Sequence, residues 1–369
     1  METLSCHYFR IDKITDWQGF HALKPEWNKL LSNSNADNFF LTYEWLSTWA
    51  RHFGSKSEPF VLIARDTETG ELAGATPLVI ERNSLIKKLI FMGNGPLQTD
   101  HLDFIMREGK EQEIAQALTA TLCKQMHRWD TIFFDGLKSS SNVLQNLRVI
   151  TDSKQDLIYN EICPYLPLPE NWASLRQTLG KNLRYNLGRY QRKLEKNFPG
   201  AISFQTVKNE SELARVMPKL YQLHHKVLIA KENKNGIFEE KRIEEFSNEM
   251  SLQALASDNL RLHSLSVDHK IIAVLYCFQY KNRVYYYQAG YDSDWKTYSP
   301  GRLLMAYAIE NAIAEGMKVF DFLRGDEAYK SAWTRQYHIE NRIHFPSSLK
   351  GRISLLPLVA RNKIKKFLA

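Results

Sequence analysis

Most of the signatures that place a chain in a familiar enzyme class are missing here. There is no G-x-S-x-G elbow, no H-E-x-x-H pair, no Walker phosphate loop and no G-x-G-x-x-G, which removes several hydrolase, zinc-protease and dinucleotide-enzyme classes as first readings. Met92-Gly93-Asn94-Gly95-Pro96 is too short for a dinucleotide loop and reads as a turn. Cysteine is sparse: Cys6, Cys123, Cys163 and Cys277 are widely spaced with no C-x-x-C pair. That spacing encodes no zinc framework, and unpaired thiols in a reducing compartment are expected. Long apolar runs are also lacking. The longest lies near Ile271–Phe278, far short of the roughly 20 residues that span a bilayer. Residues 1–20 are interrupted by Glu2, Arg10, Asp12, Lys13 and Asp16 and hold no apolar signal segment. A cytoplasmic protein, peripheral at most to the inner membrane face, is expected.

What remains is an ordinary globular balance in 369 residues, with 44% hydrophobic and 24% charged side chains. That length suits two domains. The formal charge of +8 favours anionic partners: nucleotides, coenzyme A, acyl carrier protein, phospholipid or nucleic acid.

Two halves of the chain share an order of elements. In the first, strands are expected at Phe60–Arg65, Leu72–Glu81 and Leu85–Met92, with a short one at His101–Met106. A helix at Gln112–Met126 and a buried strand at Thr131–Phe134 follow. In the second, strands at Leu260–Val267, Ile271–Tyr280 and Arg283–Tyr291 precede a helix at Pro300–Glu315 and a buried strand at Val319–Leu323. A hairpin, strand, helix and strand that recur in this way point to an internal duplication and an α/β fold. Cys163–Pro169, with three prolines, reads as a linker. Residues 172–197 read as one long helix with an apolar stripe of Leu175, Leu179, Leu183, Leu187, Tyr190 and Leu194 and basic residues on its other faces. The division expected is 1–163, 164–346 and a basic amphipathic tail at 347–369.

Several segments, taken together, resemble the CelD/BcsL-type acetyltransferases of the GNAT superfamily, relatives of the FemABX peptidyltransferases. They are Phe39–Gly54, Ala75–Leu78, Leu179–Lys196, Leu220–His225, Tyr285–Leu304 and Asp321–Trp333, in that order along the chain. The combination Y-x-x-G-Y-D-x-x-W, S-P-G-x-L-L and D-F-L-x-G-x-x-x-Y-K carries most of the likeness. The resemblance implies tandem GNAT-like (acyl-CoA N-acyltransferase) domains, each a mixed, mostly antiparallel sheet flanked by helices. It also implies acyl transfer from a thioester, usually acyl-coenzyme A, to an amine. The acceptor it suggests is an amino sugar or a precursor of envelope or polysaccharide. The first domain, degenerate on this reading, would help to form the acceptor site. Acyl-CoA would be a co-substrate, with no tightly bound cofactor or metal. The usual glycine-rich diphosphate loop is replaced by Ser299-Pro300-Gly301-Arg302, which leaves acyl carrier protein or an aminoacyl-tRNA open as the donor.

Such chemistry needs a held phosphate, a polarised carbonyl and groups that move protons. Tyr298, Ser299, Pro300, Gly301 and Arg302 are the phosphate candidates, because a proline-started helix leaves amides for an anion and Arg302 adds charge. Gln288, on the aromatic strand, joins them as a donor-binding candidate. The resemblance makes Tyr329 the general acid for the departing thiolate. Asp321, in an apolar strand, is either a base or a structural aspartate. His224, Tyr291, Asp292, Lys330, Lys181 and Arg184 are candidates for the acceptor, each against an ordinary packing or surface role. The tail from Leu349 carries six cations and no acid, which suits an anionic membrane surface or packing onto the domain. No nucleic acid partner is expected. The rival readings are a Fem-like aminoacyl-tRNA-dependent transferase and a non-catalytic envelope-assembly protein that keeps the fold.

Overall fold

A computed structural model describes residues 8–357 apart from 37, 84, 98, 151–156, 233–237 and 239. The architecture is α/β, with mixed, mostly antiparallel sheets flanked by helices. The chain divides into two compact units, 162–338 and 1–161 with 339–369.

In the unit 162–338 the strands run, in spatial order, Ile202–Thr206, Leu260–Val267, Lys270–Tyr280, Arg283–Tyr291 and Val319–Asp321, then residues 165–167. All neighbours are antiparallel except Arg283–Tyr291 and Val319–Asp321, which are parallel. A parallel pair requires a crossover, and the helix Pro300–Ala314 supplies it. That helix is apolar nearly all round; Leu303, Leu304, Ala308, Ile309 and Ala312 pack with Leu265, Leu275, Val284 and Phe320 in one core. The helix Glu210–Glu232 packs against Arg283–Tyr291. At Gly290 an added Cβ would stand 2.5 Å from the backbone nitrogen of His224, so only glycine lets helix and strand come this close.

The other unit holds two sheets. Phe9–Ile14, Val61–Asp66, Leu72–Ala75 and Ile105–Met106 form one, antiparallel throughout. Ser57–Pro59, Leu78–Asn83, Ile86–Phe91, Thr131–Lys138 and residues 340–346 form the second. Its parallel pair, Ile86–Phe91 with Thr131–Lys138, follows the helix Glu111–Lys124.

Several sequence expectations change, among them the short strand His101–Met106, which is confined to Ile105–Met106. The single strand Leu72–Glu81 is two strands in different sheets, divided at Thr76-Pro77. Pro77 brings no N–H to a ladder, while Thr76 bonds to Leu62 through both its amide and its hydroxyl. The long helix 172–197 is broken into Trp172–Thr178 and Lys181–Asn197, because Leu179 and Gly180 are extended. The linker Cys163–Pro169 is largely strand, within Leu157–Pro167. Its prolines sit where no N–H is required, and Pro164 instead accepts from Phe322 N. The strand Val319–Leu323 stops at Asp321, since Leu323 adopts a left-handed φ of 56°. Thr42 caps the helix Tyr43–Phe53, its hydroxyl accepting from Trp45 N at 3.3 Å. Residues 349–357 are helical, and the rest of the basic tail, 358–369, lies outside the described residues.

Candidate active site

The parallel ladder between Arg283–Tyr291 and Val319–Asp321 has three rungs, Arg283↔Val319, Val284↔Phe320 and Tyr285↔Asp321. Beyond Tyr285 the two strands part, while Arg283–Tyr291 continues to Tyr291 on its other partner. Its register with Lys270–Tyr280 shifts between Tyr276↔Gln288 and Cys277↔Tyr286. Tyr287 is therefore the extra residue of a β-bulge, with half-buried Gln288 beside it. Bulges re-aim side chains and twist a strand away from its neighbour. The outcome is a strand edge, from Tyr286 onward, that the ladder does not cover.

Tyr286 stands at the mouth of this opening. Its hydroxyl accepts from Tyr329, on the short helix Ala328–Ser331, over a long 3.4 Å contact. Burial raises the pKa of both phenols above the ordinary tyrosine value, and for Tyr329 the adjoining Tyr286 adds to it. Two protonated hydroxyls thus face each other where the strands separate. Nothing local in the sequence singles out Tyr286, because its pairing with Tyr329 spans 43 residues.

At the far end of the strand lies the start of the helix Pro300–Ala314. Ser299 is left-handed (φ 51°) and gives no side-chain cap. Pro300 has no N–H, and the amides of Arg302 and Leu303 both turn back to Ser299 O. The Gly301 amide is thus the first-turn donor directed away from the helix. The ring of Tyr291 lies 3.5 Å from where a Cβ on Gly301 would stand. Tyr298 is held from the side by the basic helix: Asn197 Nδ2 donates to its hydroxyl at 2.9 Å, and Lys193 Nζ sits 4.9 Å over its ring. Lys181 and Arg184 lie on the first turns of that same helix, Lys181 exposed and Arg184 half-exposed.

Other candidates are committed to internal bonds. Asp321 is fully buried; Arg283 Nη1 donates to it at 2.9 Å and Leu323 N at 3.0 Å. A role as base would require that pair to open. Burial alone would push the Asp292 carboxyl up, but the ammoniums of Lys226 and Lys270 and the Asp294 amide hold it at about 2. Lys330, 3% exposed, donates to Leu323 O and Arg324 O and pairs with Glu327.

His224 differs from these. Its Nδ1 lies 2.9 Å from Ala289 O. A carbonyl only accepts, so Nδ1 carries the proton and Nε2 is a lone pair. Burial lowers the imidazole pKa, which favours the neutral form. Nε2 is buried without a hydrogen-bond partner among the described residues.

Residues 181–331 match the family model of the acetyltransferase (GNAT) domain. No curated protein matches the chain. Among solved structures, the chain is similar to a conserved protein of unknown function from Bacteroides thetaiotaomicron VPI-5482, with TM-score 0.55 and 12% identity over 92% of this chain and 99% of that one. It is similar to the C-terminal domain of a candidate lysylphosphatidylglycerol synthetase from Agrobacterium fabrum, with TM-score 0.53 and 12% identity over 91% and 96%. FemX aligns with TM-score 0.48 and 12% identity over 90% and 96%. For the first two, at 12% identity, the likeness is one of fold.

Proposed function

We propose that the protein is an N-acyltransferase that moves an acyl group from an acyl thioester, acyl-CoA in the first instance, to an amine, a reading supported by the match of residues 181–331 to the GNAT acetyltransferase domain model. The reading rests on the open edge of Arg283–Tyr291, bounded by the Tyr286–Tyr329 pair at one end and the Gly301 amide at the other. A pantetheine arm is an extended chain of amides, and an uncovered strand edge offers it backbone partners. Gly301 N and Arg302 would meet the phosphate, assisted by the helix dipole. A backbone N–H near the bulge would polarise the thioester carbonyl.

The amine, as its free base, attacks the carbonyl carbon. The carbon–sulfur bond breaks and the thiolate leaves with the proton of Tyr329, while His224 Nε2 takes the surplus proton of the amine. On this scheme Asp321, Asp292 and Lys330 position the strand ends and the loop that carries Tyr329. The acceptor is an amine of an amino sugar or another envelope or polysaccharide precursor, a choice that follows the CelD/BcsL resemblance.

Calorimetric titration with acetyl-, succinyl- and long-chain acyl-CoA tests the donor. Micromolar binding is expected, weakened at least about tenfold in Gly301→Glu, which places a carboxylate at the phosphate position. The first added carbon makes only ordinary contact with Tyr291, so the variant should fold. Absence of binding by all three would sink the reading. One observation favours an aminoacyl-tRNA donor instead. Lys181–Asn197 carries Lys181, Arg184, Arg189, Arg192, Lys193 and Lys196 against the single acid Glu195, and none of the six has an ion-pair partner among the described residues. Transfer that needs charged tRNA and ignores acyl-CoA would establish that alternative.

A further inference from the structure

The terminal helix 349–357 presents three large apolar side chains to solvent: Leu349 at 73% exposure, Ile353 at 58% and Leu356 at 61%. Their spacing of four and three residues places them along one helical face. The opposite face, Gly351 and Leu355, is buried. Single exposed leucines are commonplace, but an apolar stripe on a firmly seated helix is not.

The seat is well built. Ser348 Oγ donates to Asp130 Oδ1 at 2.7 Å and accepts from Gly351 N at 3.1 Å. The amides of Ser347 and Ser348 both donate to Asp130 O. Any side chain at Gly351 would collide with that same carbonyl. Asp130 also ties down a second segment: its Oδ2 accepts from Lys87 N at 3.0 Å. Two residues earlier, at the turn between Leu78–Asn83 and Ile86–Phe91, Leu85 is 82% exposed. One aspartate therefore anchors both the hairpin tip and the terminal helix.

The exposed charges beside these apolar groups are cationic, and the half-buried Asp130 carboxylate is taken up by Ser348 and the Lys87 amide. Lys87, Lys350 and Arg352 are exposed, and Lys87 and Lys350 act together on the Asp130 carboxyl. From Leu349 to Ala369 the chain holds six cations and no acid, with Ile364, Phe367 and Leu368 among them. Apolar side chains flanked by cations along a helix suit the boundary of an anionic bilayer, where the former enter the acyl region and the latter meet phosphates.

We propose that the helix 349–357 and the Leu85 turn form a peripheral docking surface for an anionic lipid bilayer. The surface is independent of the acyl-transfer reading, since it uses none of the residues assigned to it.

Flotation of the full chain with vesicles tests this. Vesicles of phosphatidylcholine with an equal part of phosphatidylglycerol should carry the protein, and pure phosphatidylcholine should not. Lys350→Glu with Arg352→Glu should weaken the partition about tenfold or more, as should Ile353→Ser with Leu356→Ser, with the melting temperature unchanged because all four side chains are exposed. Absence of binding to the anionic vesicles, equal binding to both kinds, or variants that float like the parent would overturn the proposal. So would a dimer, seen by light scattering, that the Ile353 and Leu356 changes dissolve, for the stripe would then be covered by a second copy.

Discussion

The two units repeat one plan and differ at the point where their parallel strands separate. In each, a hairpin leads into a strand that gains a parallel neighbour after a helix, and in each that ladder has three rungs. In the unit 162–338 the strand runs on for six residues past the ladder, to Tyr291. In the other it ends one residue past it, at Phe91. There the following segment folds inward, with Met92, Leu97, Leu102 and Phe104 buried and Phe91 packed 4.6 Å from Phe134. The crossover helices differ too. Glu111–Lys124 opens with Glu111 and Glu113, whereas Pro300–Ala314 has no acid in its first turn. Two carboxylates at a helix start repel an anion; an open amide beside an arginine attracts one. The same topology thus gives an open edge with an anion-ready end in one unit and a filled core with an anion-averse end in the other.

Tyr329→Phe strikes hardest at the open edge. Thiol release in the presence of acceptor amines should fall by about two to three orders of magnitude, with donor affinity within a few-fold of the parent. A loss of affinity instead of turnover would place Tyr329 in binding. Next comes Asp321→Asn. Leaving Arg283 without its buried partner should reduce stability by about 3 kcal/mol in urea denaturation, because the pair locks the last rung before the strands part.

A smaller contrast sets glycine against glycine. Gly290 meets the backbone of a helix, whereas Gly74, in the strand Leu72–Ala75, meets chiefly the movable side chain of Ile114. Gly290→Ala should cost about 2 kcal/mol and Gly74→Ala less than about 1 kcal/mol. Equal losses would mean that the helix Glu210–Glu232 can yield.

The smallest effect depends on pH and belongs to the filled unit. Burial outweighs the Ser141 hydrogen bond at Asp103 and raises its carboxyl to about 6. A raised carboxyl stabilises the fold fully below the unfolded value near 4, and that contribution fades as pH climbs through 6. Asp103→Asn should remove a pH-dependent decline of about 1–2 kcal/mol between pH 4 and 7, read from melts at each pH.

The strands Leu260–Val267 and Arg283–Tyr291 and the helix from Pro300 were legible because their apolar periodicity and turn residues agree. The break at Leu179-Gly180 was not, since an i+4 leucine stripe runs through it on both sides. Nor was the strand inside Leu157–Pro167, whose prolines obscure it while its pairing comes from residues over 150 positions away. Of the candidate site, the turn at Ser299–Arg302 was readable as a local motif. The Tyr286 partner of Tyr329, the carbonyl that sets the tautomer of His224 and the lysines that neutralise Asp292 all depend on folding.

An enzyme of the proposed kind, handing acyl groups to amines, would carry its own competing nucleophiles. Lys330 directly follows Tyr329 and so rides on the same turn as the proposed acid. Its ammonium hydrogens are occupied by Leu323 O, Arg324 O and Glu327. To attack a thioester it would have to abandon three oxygens and strip two backbone carbonyls of their donor. The buried lysine is thereby shielded from self-acylation, and peptide mass mapping after prolonged exposure to donor should find Lys330 unmodified while exposed lysines such as Lys181 acquire the label.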